Sequence, residues 1–321
     1  MRKTNLFAFL LLAAAMFLSG NAMAAWTQAK GHAYNQLTVS YFTADEKMST
    51  IDGDTFEIGE NHKADSAKFT STNLTYYGAY GITDKLTASL TVPYKVIDSD
   101  DVTQFHSGQT VHGVGDIDFG LRYNLSQNIF GSGALMSVDG KVKIPAAYDC
   151  KNPMAYQNLG DCQYDAQVSM VFGRGFGWGY AILDLGYKYR FEYDDFGQVK
   201  PSDHYKIRLD AGHGLTSKLS LRGSIDWTKS VDNAEVSDAF MEEAGRLWGG
   251  EVGADKDKVI RDSLGYEPDS LVVGVALAYS ITPKVQAVVG YETGVFTVLG
   301  QHVTQDASVG QTYSVAGVYM F

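Results

Sequence analysis

Apolar residues alternate with small or polar ones along most of the chain, in segments of roughly ten to fourteen residues. The clearest segment covers residues 113–125, where apolar positions alternate with Asp116, Asp118, Arg122 and Asn124. Because successive side chains of a β-strand point to opposite faces, each segment predicts a strand with one apolar and one polar face. About twelve such segments occur, at residues 33–44, 68–80, 86–96, 113–125, 134–144, 164–172, 183–191, 204–215, 219–227 and 271–281, after the turn at 282–284, and at 309–321.

The links between these segments are alternately short and long. Short turns follow the even-numbered segments, whereas long and mostly acidic links follow the odd-numbered ones. Barrels of the bacterial outer membrane have this asymmetry, with short periplasmic turns, long outer loops and an even number of strands. The sequence therefore predicts an all-β fold, a transmembrane antiparallel up-and-down β-barrel of about 12 strands. The longest link, residues 229–268, has helix-like spacing over 236–251, and whether it plugs the barrel stays open.

The two ends of the chain predict export and assembly. Residues 1–24 have a basic start, a short apolar run and a small-x-small site, which predicts a signal peptide followed by a single barrel domain over 25–321. The final segment, with Tyr319 and Phe321, resembles the terminal signal of bacterial outer-membrane barrels. That resemblance implies recognition by the barrel-assembly machinery and a place in the bacterial outer membrane, among its lipid and lipopolysaccharide. The alternative for this segment is the edge strand of a soluble sandwich.

Composition narrows the class of partner. Removal of the signal leaves 24 basic residues against 37 acidic ones, a net charge of −13, which argues against nucleic acid. The chain has 34 Gly, 20 Tyr and 16 Phe but only 6 Pro, which favours strands and turns. In an exported chain the close pair Cys150 and Cys162 predicts a disulfide that closes one loop, because no His lies between them to complete a metal site.

Three stretches carry a family resemblance. They are residues 80–86 (YGITDKL), 90–94 (LTVPY) and 113–123 (GVGDIDFGLRY). Their order and spacing resemble the outer-membrane family named for the meta-pathway of phenol degradation, over roughly the first half of the chain. The resemblance implies a barrel channel for small, often aromatic, organic compounds. We expect a monomer and passive uptake, because no energy-coupling feature is visible in the sequence. It implies no binding residues that can be carried over.

Motifs of catalysis are missing from the sequence. No nucleotide loop, zinc motif or serine-hydrolase elbow occurs, so we expect neither an enzyme nor a cofactor. One alternative is a barrel lipase or protease built on His213 and Ser217, although no acid is suitably placed to orient the histidine. Another is a structural or adhesin-like barrel whose function lies in its loops. Calcium ligands at residues 52–54 and 98–101 are conceivable, but their spacing differs from a calcium loop.

The polar faces of the strands predict a charged inner wall. Turn-based registers place Asp118 opposite Lys141, Asp116 opposite Lys143, and Arg208 opposite Asp226, as ion pairs that stiffen the wall. The alternative is that these charges set the field along a pore. Arg122 faces inward beside them. Pairing Tyr193 with His204 groups four inward cations near one height, with Asp165 opposite Lys188. We expect Arg190 and Lys206 to be the least well paired and to slow an anionic solute such as an aromatic carboxylate. The four cations are Lys188, Arg190, Lys206 and Arg208.

Overall fold

The structure is a computed structural model, and it describes eleven ranges of the chain. The signal peptide predicted at residues 1–24 lies outside them, as do Asp52, Asp54, Asp100 and Asp101 among the conceivable calcium ligands. The described residues are 27–48, 55–57, 68–99, 109–145, 147–152, 157–193, 198–247, 265–295, 297–298, 301–302 and 308–321.

Twelve antiparallel strands close into one barrel, as the alternation predicts. Each strand pairs with its neighbours in chain order, and β1 pairs with β12 to close the barrel. At the closing seam Leu37 lies opposite Gly317 and Val39 opposite Val315. The strands are β1 (Ala33–Met48), β2 (Phe69–Thr83), β3 (Leu86–Ser99), β4 (Ile117–Ser126), β5 (Leu135–Ile144), β6 (Asp165–Phe176), β7 (Gly179–Arg190), β8 (His204–Gly214), β9 (Leu219–Ser230), β10 (Ser270–Thr282), β11 (Val285–Gly294) and β12 (Ser308–Met320).

Short turns lie at one end of the barrel, which we call the short-turn end. Residues 84–85, 177–178 and 283–284 are the entire links after β2, β6 and β10. Ala33 and Phe321 meet at the same end, where each backbone N–H donates to the other residue's carbonyl, at 2.9 and 3.1 Å. The long links lie at the opposite end, which we call the long-loop end. The predicted alternation of short and long links is therefore confirmed.

The outer surface is a belt of exposed apolar side chains. On β4, for example, Phe119, Leu121 and Tyr123 are 46%, 54% and 44% exposed. The same alternation places Asp118, Gly120 and Arg122 toward the lumen. A water-exposed belt of this kind would be costly, whereas lipid hydrocarbon accommodates it.

A break in the wall lies beside Pro93. A proline inside a strand favours a bulge or a kink of that strand, but Pro93 pairs with Thr75 of β2 in regular register. The break falls instead on β3's other neighbour, where the segment Gln109–Val114 pairs with β3 and is separated from β4 by Gly115 and Asp116. The Gly115 N–H donates to the Pro93 carbonyl at 2.9 Å. Because proline has no N–H to donate to a neighbouring strand, the regular pairing between β3 and β4 is interrupted at this position.

One helix, α1 (Asp238–Leu247), lies in the link after β9. Its Phe240 is fully buried, with its ring 6.2 Å from that of Tyr266, and Ser237 Oγ accepts from the Phe240 N–H at 3.2 Å. The flanking pair Glu235–Val236 forms a two-stranded ladder with Val199–Lys200 of the link after β7. The two long links thus pack on each other at the long-loop end. No described helix is long and apolar enough to cross a membrane.

Candidate solute path through the barrel

The lumen wall has a charged half and a largely uncharged half. Leu185 and Leu209 are exposed on the outer surface, so their neighbours Asp184, Lys206, Arg208 and others on β4–β9 face inward. The inward residues of β10–β12 are mostly small or apolar. They include Val272, Gly274, Ala276, Ala278, Val288, Gly290, Ala316 and Val318, with Glu292 among them. A solute crossing the barrel therefore meets charges along β4–β9 and mostly small or apolar groups along β10–β12.

A dense group of ion pairs lies at the long-loop end of the charged half, and we call it the mouth cluster. Asp165 is its centre and is 2% exposed. It contacts Lys143 at 2.7 Å, Lys188 at 3.1 Å and Arg190 at 3.6 Å. Asp161 pairs with Lys143 and, at 3.0 Å, with Arg190, while Asp116 lies 3.7 Å from Lys143. The cluster thus joins three cations and three carboxylates: Lys143, Lys188, Arg190, Asp116, Asp161 and Asp165.

The predicted disulfide between Cys150 and Cys162 is confirmed, and its loop returns into the lumen. Tyr148 donates from its hydroxyl to Asp116 at 2.7 Å and accepts from the Cys162 N–H at 3.0 Å. Leu159 lies so close to the wall that a Cβ on Gly113 would be 2.7 Å from its Cδ1. The glycines before Asp116 therefore make room for this loop, which the sequence did not reveal.

The charge of Asp161 holds this loop in the mouth cluster. Burial raises the pKa of the Asp161 carboxyl, but Lys143 and Arg190 outweigh burial and lower the pKa from 3.8 to about 2. A depressed pKa in the folded state means that the ionised group stabilises the fold above the unfolded pKa. This contribution is therefore complete above about pH 4 and is lost as the pH falls to about 2.

We expect acid to release the disulfide loop. Pepsin should cut at Leu159 increasingly as the pH falls from about 4 to about 2, and reduced gels would display the fragments. The Asp161→Asn variant lacks the charge at every pH, so it should already be cut at about pH 4. Comparing variant with wild type at each pH corrects for the pH dependence of pepsin. Equal cutting of the two proteins at pH 4 would contradict this role for Asp161.

In the charged half, on the short-turn side of the mouth cluster, one lysine lacks the ion pairs that its neighbours make. Arg208 binds Asp210 with two nitrogens, at 2.9 and 3.1 Å, and lies 3.7 Å from Asp226. Lys206, two residues away on the same face of β8, makes no ion pair or hydrogen bond with any residue in the described ranges. The prediction that Lys206 is poorly paired is therefore confirmed for the described residues.

The prediction for Arg190 is wrong. Its side chain is 5% exposed, and besides Asp161 and Asp165 it donates to Gln163 Oε1 at 2.7 Å. Asp161 lies in the disulfide loop and Gln163 directly follows it, so no register between strands predicts these two partners. The predicted pairing of Tyr193 with His204 is also wrong, because Tyr193 bridges to Val199.

Observed registers differ from the predictions at three pairs of neighbouring strands, β7–β8, β6–β7 and β4–β5. Between β7 and β8, Lys188 lies opposite His204 and Arg208 opposite Asp184. Asp165 lies opposite Arg190 rather than Lys188, although it contacts both.

Between β4 and β5 the observed partners differ from the predicted ones by two residues, because the turn closes where the Ile129 N–H donates to the Ala134 carbonyl. Asp118 therefore lies opposite Lys143, and the predicted pair of Asp118 with Lys141 is wrong. Lys141 lies opposite Gly120 and approaches Asp139 at 4.0 Å. Asp116 and Lys143 do form an ion pair, and Arg208 does lie opposite Asp226.

Comparison with solved structures supports the fold assignment. The chain is similar to the crystal structure of an outer membrane channel from Pseudomonas putida F1, with a TM-score of 0.66 and 13% identity, over 94% of this chain and 100% of that chain. The NanC porin gives a TM-score of 0.46 at 8% identity, over 88% of this chain and 98% of that chain. The CymD monoaromatic hydrocarbon channel gives a TM-score of 0.41 at 9% identity, over 92% of this chain and 89% of that chain. No family model and no curated protein matches the sequence.

This chain is a transmembrane β-barrel of the outer-membrane type. Within this barrel, His213 lies at the short-turn end, where its Nδ1 is 3.1 Å from the Trp178 carbonyl oxygen. Ser217 lies in the turn that follows β8. The described residues contain no group of three or more His, Cys, Asp or Glu side chains that could hold a metal ion.

Proposed function

We propose that the protein is an outer-membrane channel for the passive passage of small amphipathic anions, with aromatic carboxylates as the favoured class. The observation that carries the proposal is Lys206, a lumen cation that makes no ion pair or hydrogen bond with the described residues, in a barrel whose β10–β12 wall is mostly small or apolar. A carboxylate matches the lysine, and an aromatic ring matches the apolar residues of β10–β12. The similar barrel from Pseudomonas putida F1 is an outer membrane channel, which agrees with this function.

The size of the barrel fits small solutes. Eight strands are filled by their own side chains, whereas barrels of sixteen or more strands leave a wide aqueous channel. Twelve strands lie between these limits. The mouth cluster narrows the path further, because the disulfide loop lies against the inner face of the wall. A narrow wall of low dielectric focuses the field of each charge that remains unneutralised.

The site of action follows from the same features. The exposed apolar belt would face outer-membrane lipid, with lipopolysaccharide around the long-loop end. The closing strand, with Tyr319 and Phe321, would be read by the barrel-assembly machinery. Transport would be passive, driven by the concentration gradient of the solute.

Bilayer recordings under a potassium chloride gradient test the proposal. Wild-type barrel should conduct, and Lys206→Gln should lower the chloride-to-potassium permeability ratio by at least about twofold, because the unneutralised lumen charge is gone. Lys218→Gln, an identical change at an exposed turn residue, is the control and should behave as wild type.

Two results would count against the proposal. If the correctly folded wild-type barrel does not conduct, the channel function fails. If Lys206→Gln conducts with the selectivity of wild type, the anion preference fails while the channel function stands.

A further inference from the structure

We propose that Arg222 forms a separate carboxylate-binding site at the short-turn end of the lumen, and this inference rests on the proposed channel function. Arg222 lies on β9, six residues from Thr228, which is the partner of Lys206. Six strand residues span roughly 20 Å, so a solute at Lys206 does not reach Arg222. The barrel would therefore offer two successive sites for one anion.

The guanidinium of Arg222 has only neutral partners in the described part of the chain. It donates to Gln286 Oε1 at 3.0 Å and also interacts with the Tyr34 hydroxyl. The other inward arginines are all paired with carboxylates, Arg122 with Asp139 at 2.5 Å, Arg190 with Asp161 and Arg208 with Asp210. A guanidinium presents five donors in a planar fork that matches a carboxylate, so Arg222 keeps both charge and donors for a ligand.

Acidic groups around Arg222 are already engaged by other cations. Asp210 lies on the neighbouring strand β8, opposite Ser224, and its two oxygens accept from Arg208. Glu292 lies opposite Gly274 on β10 and interacts electrostatically with Arg208. These two acids therefore weaken the positive electrostatic potential at Arg222 but do not neutralise it by direct contact.

Aromatic and apolar groups complete the site. The Tyr34 ring meets the Tyr77 ring edge to face at a centroid distance of 6.0 Å. Val318 lies between Gln36 and Gln286 in the two ladders of β12, and Val318 and Ala278 are each 2% exposed. An apolar floor with tyrosine rings beside a guanidinium suits a flat aromatic acid better than an inorganic anion.

The position of these side chains leaves little room to pass the site. Tyr34 belongs to β1 and Tyr180 to β7, which lie half-way round the barrel from each other. Both tyrosines are nevertheless close enough to Arg222 to interact with it electrostatically. Side chains from opposite walls thus approach the guanidinium, which places it in the path of a solute leaving at the short-turn end.

Benzoate binding to the purified full-length barrel in detergent tests the site. Isothermal titration should detect binding to wild type, and Arg222→Gln should weaken it at least about tenfold, because a charge-assisted fork is lost. Arg222→Lys keeps the charge without the fork, so it should weaken binding by about threefold or more. Benzyl alcohol, which has the ring without the charge, should bind both variants and wild type alike. Lys218→Gln is the control for benzoate.

Three results of these titrations would overturn the Arg222 site. Absence of benzoate binding to wild type would overturn the site, as would wild-type affinity in a heat-modifiable Arg222→Gln barrel. If Arg222→Gln does not assemble, wild-type affinity in Arg222→Lys would overturn it instead. Because titration needs no conductance, loss of the channel function and loss of this site are distinguishable. Non-conducting wild type refutes the channel, whereas a conducting barrel with unchanged benzoate affinity in the variants refutes only the site.

Discussion

Replacing Asp165 by asparagine should lower the free energy of unfolding of the barrel by about 3 kcal/mol. Asp165 is 2% exposed and contacts Lys143, Lys188 and Arg190. Asparagine has nearly the same shape but no charge, so the three cations would be left facing one another with only Asp161 and Asp116 nearby. Removing one partner from a buried ion pair is costly, because the remaining charge stays desolvated without compensation. Urea unfolding of the refolded barrel in micelles would measure the change.

Asp226→Asn is the matched control for Asp165→Asn. The Asp226 side chain is 30% exposed, and its partner Arg208, 3.7 Å away, also binds Asp210. Its loss should therefore cost less than about 1 kcal/mol, as is usual for exposed pairs. If the two variants lower the free energy of unfolding equally, the stabilising effect of Asp165 does not depend on its burial at the centre of the mouth cluster.

Deleting Phe321 should abolish most of the assembled barrel. Phe321 makes the last two hydrogen bonds of the seam with Ala33, and His32 Nδ1 is 3.1 Å from its carbonyl oxygen. A membrane barrel has no stable form with an open edge, because lipid cannot satisfy unpaired backbone groups. The measurement is the fraction of heat-modifiable barrel in outer-membrane preparations.

Two substitutions separate the backbone of Phe321 from its ring. Phe321→Tyr keeps an aromatic terminus and should assemble as wild type does. Phe321→Ala keeps the seam hydrogen bonds but lacks the ring, so poor assembly of this variant would identify the ring as the recognised signal. A normal amount of heat-modifiable barrel from the deletion would contradict the importance of the terminus.

The sequence by itself determined the strands and their faces. Alternation requires only that neighbouring side chains point to opposite sides, a property of each strand alone. For this reason the inward face of β4, with Asp118 and Arg122, follows from the sequence without knowledge of the neighbouring strands. The spacing of the turns likewise fixed the antiparallel order, and the closeness of Cys150 and Cys162 indicated their disulfide.

Only the tertiary structure decided which charges meet. The turn between β4 and β5 closes at Ile129 and Ala134, which places Asp118 opposite Lys143 instead of Lys141, and the alternation of the strands does not predict where a turn closes. Asp161 reached Arg190 from a loop, and loops have no period that predicts where they fold. The contact of Arg222 with Tyr34 joins β9 and β1, which are four strands apart, so it exists only because the barrel closes.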